Sequence, residues 1–225
     1  MIYHAKSVAK ACSHAFVVCD MPFGSYQVNR DEGVRNAIRI MKESGADAVK
    51  LEGGSEIIDT IKGILAAGIP VVGHLGLTPQ SVHKFGGYGI RAKDEAEATK
   101  LLSDAELLDE AGVCALVLEK VPHKLAAEVS KQIEAPTIGI GAGNETDGQV
   151  LVYADAMGMT HGFKPKFLRV FADVSKCMSE GIADYMKCVK GQTFPNEGES
   201  YLISPPKVRQ KTFGVLFFAD VPCDN

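Results

Sequence analysis

Short apolar runs alternate with amphipathic stretches through the middle of the chain. The runs are AFVVCD (15–20), DAVKLE (47–52), IPVVGH (69–74), CALVLE (114–119) and PTIGIG (136–141), with a weaker sixth at DAMGM (155–159). They are nearly continuous in Val, Ile and Leu, as strands buried on both faces should be. Between them, apolar residues recur at helical spacing. IIDTIKGILAAG follows Ser55, a candidate N-cap, and stops at Gly68, while Thr78-Pro79 opens a further helix with Pro at its first position. KLLSDAELLDEAG and HKLAAEVSKQI come next, the latter with Leu125, Val129 and Ile133 on one face. Strand–helix alternation of this kind predicts parallel βαβ units.

Six strands fit either an open doubly wound sheet or most of a barrel. The barrel is favoured, because polar groups recur at the C-terminal ends of the strands, where barrel active sites sit. A full barrel has eight strands in about 250 residues. Only six are read here, so two strands are expected to be missing from the N-terminal side. After Phe167 the pattern turns helical (DVSKCMSEGIADYMKCVKG) and then loop-like at FPNEGES. The last stretch contains a Pro-Pro breaker and GVLFFADV, a lone β-prone segment. Residues 1–200 therefore read as the barrel domain and 201–225 as an extension of unknown role.

Composition narrows the class of function. Of 225 residues, 46% are hydrophobic and 23% charged, ordinary for a soluble enzyme. With 24 basic and 28 acidic residues the net charge is -4, which offers no basic surface for nucleic acid. No apolar run approaches the roughly 20 residues that span a bilayer. The six cysteines lack metal-site spacing, and Cys19 and Cys114 sit in apolar runs, so a reduced compartment without disulfides or structural zinc is expected. The N-terminus MIYHAKSVAKAC is basic without acids, a feature shared with transit peptides. Ile2, Ala5, Val8, Ala9 and Cys12 instead read as an amphipathic helix inside the fold. The cytoplasm is the expected location, or an organelle reached by a leader that precedes this sequence.

Four strands end in ionisable side chains: Asp20, Lys50 with Glu52, His74 and Glu119. Lys50 and Glu52 are two apart, so on a strand they share a face. Any one of these residues reads as an ordinary rim group; all five at equivalent positions point to a site. Three carboxylates at one mouth repel unless positive charge sits among them. Lys50 supplies some, and Mg²⁺ would supply more, since it suits one or two carboxylates plus a chelating substrate. His74, flanked by Gly73 and Gly76, reads as structural as readily as functional. The glycine-rich loop GIGAGNETDGQ (139–149) is either a phosphate cradle or a close-packed structural turn. FGGYGIR (85–91) is either a lid with glycine hinges or an inert surface loop.

At these residues the chain resembles the ketopantoate hydroxymethyltransferase (3-methyl-2-oxobutanoate hydroxymethyltransferase) family. The segments that carry the resemblance are CDMPFGSY, GADAVKLEGG, IPVVGHLGLTPQSVHKFGGY, LVLEKVP, PTIGIGAGNETDGQVLVYADAMGM and KPKF, in that order. It implies a (β/α)8 TIM barrel of the phosphoenolpyruvate/pyruvate superfamily, here N-terminally truncated with strands 3–8 present. It further implies Mg²⁺, a homo-oligomer (decameric or similar), and transfer of a one-carbon unit from 5,10-methylenetetrahydrofolate to 3-methyl-2-oxobutanoate. Partners are then a small 2-oxo acid and a folate, with no nucleic acid and no membrane.

By the same resemblance Asp20 corresponds to a metal-ligating residue beside the keto acid, and Lys50 to the keto-acid-binding lysine. Glu52 corresponds to the acidic residue of the metal site, Glu119 to the proton acceptor and His74 to a substrate-pocket histidine. The family carries a further Asp and Ser on two earlier strands, with no counterpart here; a misplaced start codon or an incomplete gene is the expected reason. The alternative is an inactive fragment that keeps only assembly contacts. A lyase of the same superfamily is a weaker third reading, against which LVLE and GHLGLTPQS argue.

Overall fold

The structure, a computed structural model, describes residues 1–162 and 164–203. In chain order the elements are α1 (Ile2–Ala11), β1 (Val18–Asp20), α2 (Arg30–Ser44), β2 (Ala48–Glu52), α3 (Ile58–Ala66), β3 (Val71–Gly76), α4 (Val82–Phe85), α5 (Glu95–Ala111), β4 (Ala115–Glu119), α6 (His123–Gln132), β5 (Thr137–Ile140), β6 (Gly148–Gln149), α7 (Tyr153–Ala156) and α8 (Val174–Lys190). Helix ends follow local chemistry. The Asn29 side chain accepts from the Glu32 amide at the start of α2, and Asp94 accepts from the Glu97 amide at the start of α5. Both helices stop at a left-handed glycine, Gly45 and Gly112.

All strand pairs are parallel, and the strands lie side by side in the order in which they occur along the chain. That order discriminates between the two candidate architectures. A doubly wound sheet reverses its order at a switch point; a barrel wall does not.

The burial pattern agrees. One sheet face, with Cys19, Val49, Leu51, Val71, Leu116 and Leu118, packs into a core with Ala37 and Ile40 of α2, Ile61 and Ile64 of α3, Leu108 of α5 and Val129 of α6. The opposite face carries a smaller apolar cluster of Ala48, Val72, Ala115 and Val117, backed by Val18, Ile138 and Ile140. Helices cover one side and side chains fill the other, so the sheet is a wall of a (β/α) barrel. Among the described residues the wall has six strands, and β1 and β6 each have one neighbour.

Three local expectations change. DAMGM is not the sixth strand: α7 and a left-handed Gly158 occupy it. The sixth strand is Gly148–Gln149, recruited because the Asp147 carboxylate accepts from both the amide and the hydroxyl of Thr137, each at 2.8 Å. Ser55 caps nothing; it opens a 3-10 turn before α3, and its hydroxyl accepts from Lys100. Cys19 is buried as its run suggested, but Cys114 is exposed because it precedes β4. The N-terminal segment is helical, with Ala5 buried and Ile2 and Ala9 packed on the core, while Val8 faces out.

The chain divides into two compact units, Met1–Asp173 and Val174–Asn225. The first holds the sheet. In the second, α8 is followed by a short turn at Glu197–Glu199 closed by a reciprocal Asn196–Glu199 capping box. The segment GVLFFADV and Cys223 lie outside the described residues. Among the described residues no helix is long and apolar enough to cross a membrane.

Candidate active site

Period-2 alternation explains how the five ionisable residues meet. Asp20, Lys50, Glu52, His74 and Glu119 each follow, by two or four positions, a residue of the inner apolar cluster on their own strand, so all face the barrel interior above that cluster. Parallel register sets them beside one another: Asp20 pairs with Lys50, Glu52 with His74, and Gly76 with Glu119. Lys50 Nζ lies 3.2 Å from Asp20 Oδ1 and 3.3 Å from His74 Nδ1. His74 Nε2 lies 3.4 Å from Glu119 Oε2, and its Nδ1 lies 3.8 Å from Glu52 Oε1. Consecutive strands β1 to β4 thus contribute a row of groups that reads carboxylate, ammonium, imidazole, carboxylate.

Exposure grades along the row. The His74 side chain is 3% exposed and Glu52 7%, whereas Lys50 and Glu119 are 16% exposed and Asp20 is 49% exposed. Asp20 and Glu119 are therefore open to a ligand from the mouth, and His74 forms the floor. Burial raises the Glu52 carboxyl above its ordinary range, and the nearby Asp20 charge adds to this; the Gln80 amide, His74 and Lys50 pull the other way.

Glu52 sits in a cradle that charge counting along the chain did not reveal. Its Oε2 accepts from the Gln80 amide at 2.9 Å. The Gln80 side chain donates to the Met21 carbonyl and accepts from the Tyr26 hydroxyl at 2.8 Å. The same hydroxyl accepts from the Glu52 amide at 3.1 Å. Tyr26 is buried, and its hydroxyl is pushed up to about 12, with burial as the main cause. Both residues lie in motifs quoted above, CDMPFGSY and GHLGLTPQS, but neither has a charge or a period to mark it.

The two flanking loops are braced. Arg91 donates its amide to the Lys120 carbonyl just after β4, its guanidinium stacks 4.1 Å over the Phe85 ring and pairs with Glu97, and Lys120 donates to the Tyr88 carbonyl. The 85–91 loop is thereby tied to the strand that carries Glu119. In the 139–149 loop, a Cβ on Gly143 would lie 2.5 Å from His123 Cβ, so this glycine permits close packing against α6. That favours the structural alternative for this loop over a phosphate cradle. A cavity of about 410 Å³ opens beside Glu52, walled by Phe23, Leu75, Phe85, Arg91 and Lys100 among others.

The family model described as ketopantoate hydroxymethyltransferase matches residues 1–197. The 3-methyl-2-oxobutanoate hydroxymethyltransferases of Bacteroides fragilis and Bacteroides thetaiotaomicron are each 60% identical over 201 residues, covering 89% of this chain and 74% of the relative. The enzyme of that name from Christiangramia forsetii is 58% identical over the same share. A match of this extent, on a parallel barrel wall with this row of strand-end residues, places the chain in the ketopantoate hydroxymethyltransferase family.

Proposed function

We propose that this chain transfers a hydroxymethyl group from 5,10-methylenetetrahydrofolate to 3-methyl-2-oxobutanoate, giving 2-dehydropantoate. The observation that carries the reading is the row of Asp20, Lys50, His74 and Glu119 on four consecutive strand ends. The substrate must be held by its oxygens, lose a proton from C3, and present that carbon to an electrophile. Lys50 carries the cationic group nearest the centre of the row, suited to the keto-acid oxygens. Glu119 stands at the far end as the base. It removes the C3 proton, and the freed electron pair forms the C2=C3 double bond of an enolate whose charge falls on the keto oxygen. C3 and a water oxygen then each form one bond to the folate methylene carbon as both of its C–N bonds break, and the two folate nitrogens take up the C3 proton, returned by Glu119, and the proton that the water loses. The cavity beside Glu52 has room for part of the folate.

The donor set suits a magnesium ion shared with substrate. Among the described residues no three His, Cys, Asp or Glu side chains form a ready-made metal cage. What the mouth offers is two hard carboxylates, Asp20 and Glu52, close enough for Asp20 to raise the Glu52 pKa. Two carboxylates plus a chelating oxyacid and water is an arrangement Mg²⁺ accepts. Asp20 and Glu52 would hold the ion, which when bound stabilises negative charge on the keto oxygen.

The test is formation of 2-dehydropantoate by the full chain, supplied with both substrates and Mg²⁺. Product that requires all three supports the reading. Tight binding of the keto acid with no product over days would overturn it and favour an assembly role.

A further inference from the structure

We propose that His74 is a positioning residue for Glu119: it presents a fixed Nε2–H to one oxygen of that carboxylate and does not itself touch the substrate. The proposal rests on the reading of Glu119 as the base.

The tautomer follows from the neighbour. A lysine ammonium has only donors. Nδ1 has Lys50 Nζ at 3.3 Å and Glu52 Oε1 farther off at 3.8 Å; accepting from the nearer ammonium assigns the ring proton to Nε2. Nε2 then faces Glu119 Oε2 at 3.4 Å, close to it but not hydrogen-bonded. The atom is buried, with less than 1 Å² exposed, and has no hydrogen-bond partner among the described residues. Catalytic hydrogen bonds are often loose before substrate arrives and tighten in the complex.

Access separates the two roles open to this histidine. A substrate-binding donor must be reachable from the mouth. Nε2 is covered, whereas the Glu119 side chain is 16% exposed. The backbone around the ring is held as well: the His74 carbonyl accepts from the Gly53 amide, and the Glu119 carbonyl accepts from the Leu77 amide at 2.8 Å. A carboxylate with one oxygen engaged by a fixed donor stops rotating and keeps its other oxygen aimed at the proton to be removed. Lys50 thus serves at two places, toward Asp20 and, through the imidazole, toward Glu119.

The first arm of the experiment needs no turnover. Nitrogen–proton correlation spectra of the full chain labelled at histidine, assigned with His74→Gln, should show the Nε2–H form for His74. Its proton resonance should move in Glu119→Ala. A proton on Nδ1, or no response to Glu119→Ala, would overturn the proposal even if the chain proved inactive.

The second arm uses the C3 hydrogen exchange of 3-methyl-2-oxobutanoate with Mg²⁺. Glutamine places its amide nitrogen near the Nε2 position and asparagine near Nδ1. His74→Asn should lower the exchange rate ~100-fold with keto-acid affinity changed less than threefold, and His74→Gln should recover most of the loss. Equal losses in rate and affinity would make His74 a substrate-binding group; equal rates in Asn and Gln variants would make it merely structural. An inactive parent chain would sink the reading of Glu119 without touching the first arm.

Discussion

Tyr26 holds its hydroxyl between a donor and an acceptor, the Glu52 amide and the Gln80 side chain, and the bond it donates to Gln80 depends on its staying protonated. Its pKa is raised to about 12 from an ordinary 10.0. Ionisation is therefore easier in the unfolded chain. The stability this residue contributes is full below pH 10 and is lost as pH rises from about 10 to about 12, amounting to about 2–3 kcal/mol. Urea unfolding at pH 9.5 and 11.5 should show that slope in the parent and lack it in Tyr26→Phe. At neutral pH the variant should lose about 1–3 kcal/mol, because the Glu52 amide is left unpaired. A further prediction concerns Asp20→Ala, which removes the more open carboxylate. The Mg²⁺ concentration for half-maximal exchange should rise at least ~10-fold; an unchanged titration would take Asp20 out of the ligand set.

The residues of the row were legible because each follows an apolar run at the strand end. Tyr26 and Gln80 were not. Their partnership joins positions 54 residues apart, and no local period encodes it.

Among the elements, the end of β3 is the most constrained. Gly76 has φ +89°, and a Cβ there would lie 2.3 Å from the Glu119 carbonyl oxygen, the acceptor for Leu77. Gly76→Ala must push β4 away just where it delivers the base. A loss above ~3 kcal/mol in thermal or urea unfolding is expected, together with loss of exchange activity. Gly68→Ala is the control: φ is +81°, but nothing lies within 4 Å, so only the ~1–2 kcal/mol backbone penalty applies and exchange is retained. The five longer strands were readable from Val, Ile and Leu content. The sixth was not, since Gly148–Gln149 has no apolar side chain and owes its pairing to the Asp147 carboxylate on Thr137. DAMGM misled for the opposite reason, being apolar in part yet punctuated by a glycine that turns the chain.

For the molecule as a whole, strand order decides the architecture, and the architecture decides where chemistry sits. Sequential parallel pairing leaves the helices on one side and a second, smaller apolar face on the other. That face is apolar below and ionisable above, so a ligand at the mouth meets charge over an apolar floor. Alternation of strands and helices in the sequence carried this much. What it did not carry is which groups touch. The His74 contacts to Lys50 and Glu119 depend on stagger between neighbouring strands, and stagger is set by packing across the whole wall.

We propose that this mouth takes a 2-oxo acid and that Glu119 removes its C3 proton. Proton NMR of 3-methyl-2-oxobutanoate in D2O, with Mg²⁺ and the full chain but no folate, reads that step alone. The C3–H signal is expected to disappear at least ~100-fold faster with the parent than with Glu119→Gln, while both bind the keto acid. Equal rates from two folded, ligand-binding proteins would contradict it.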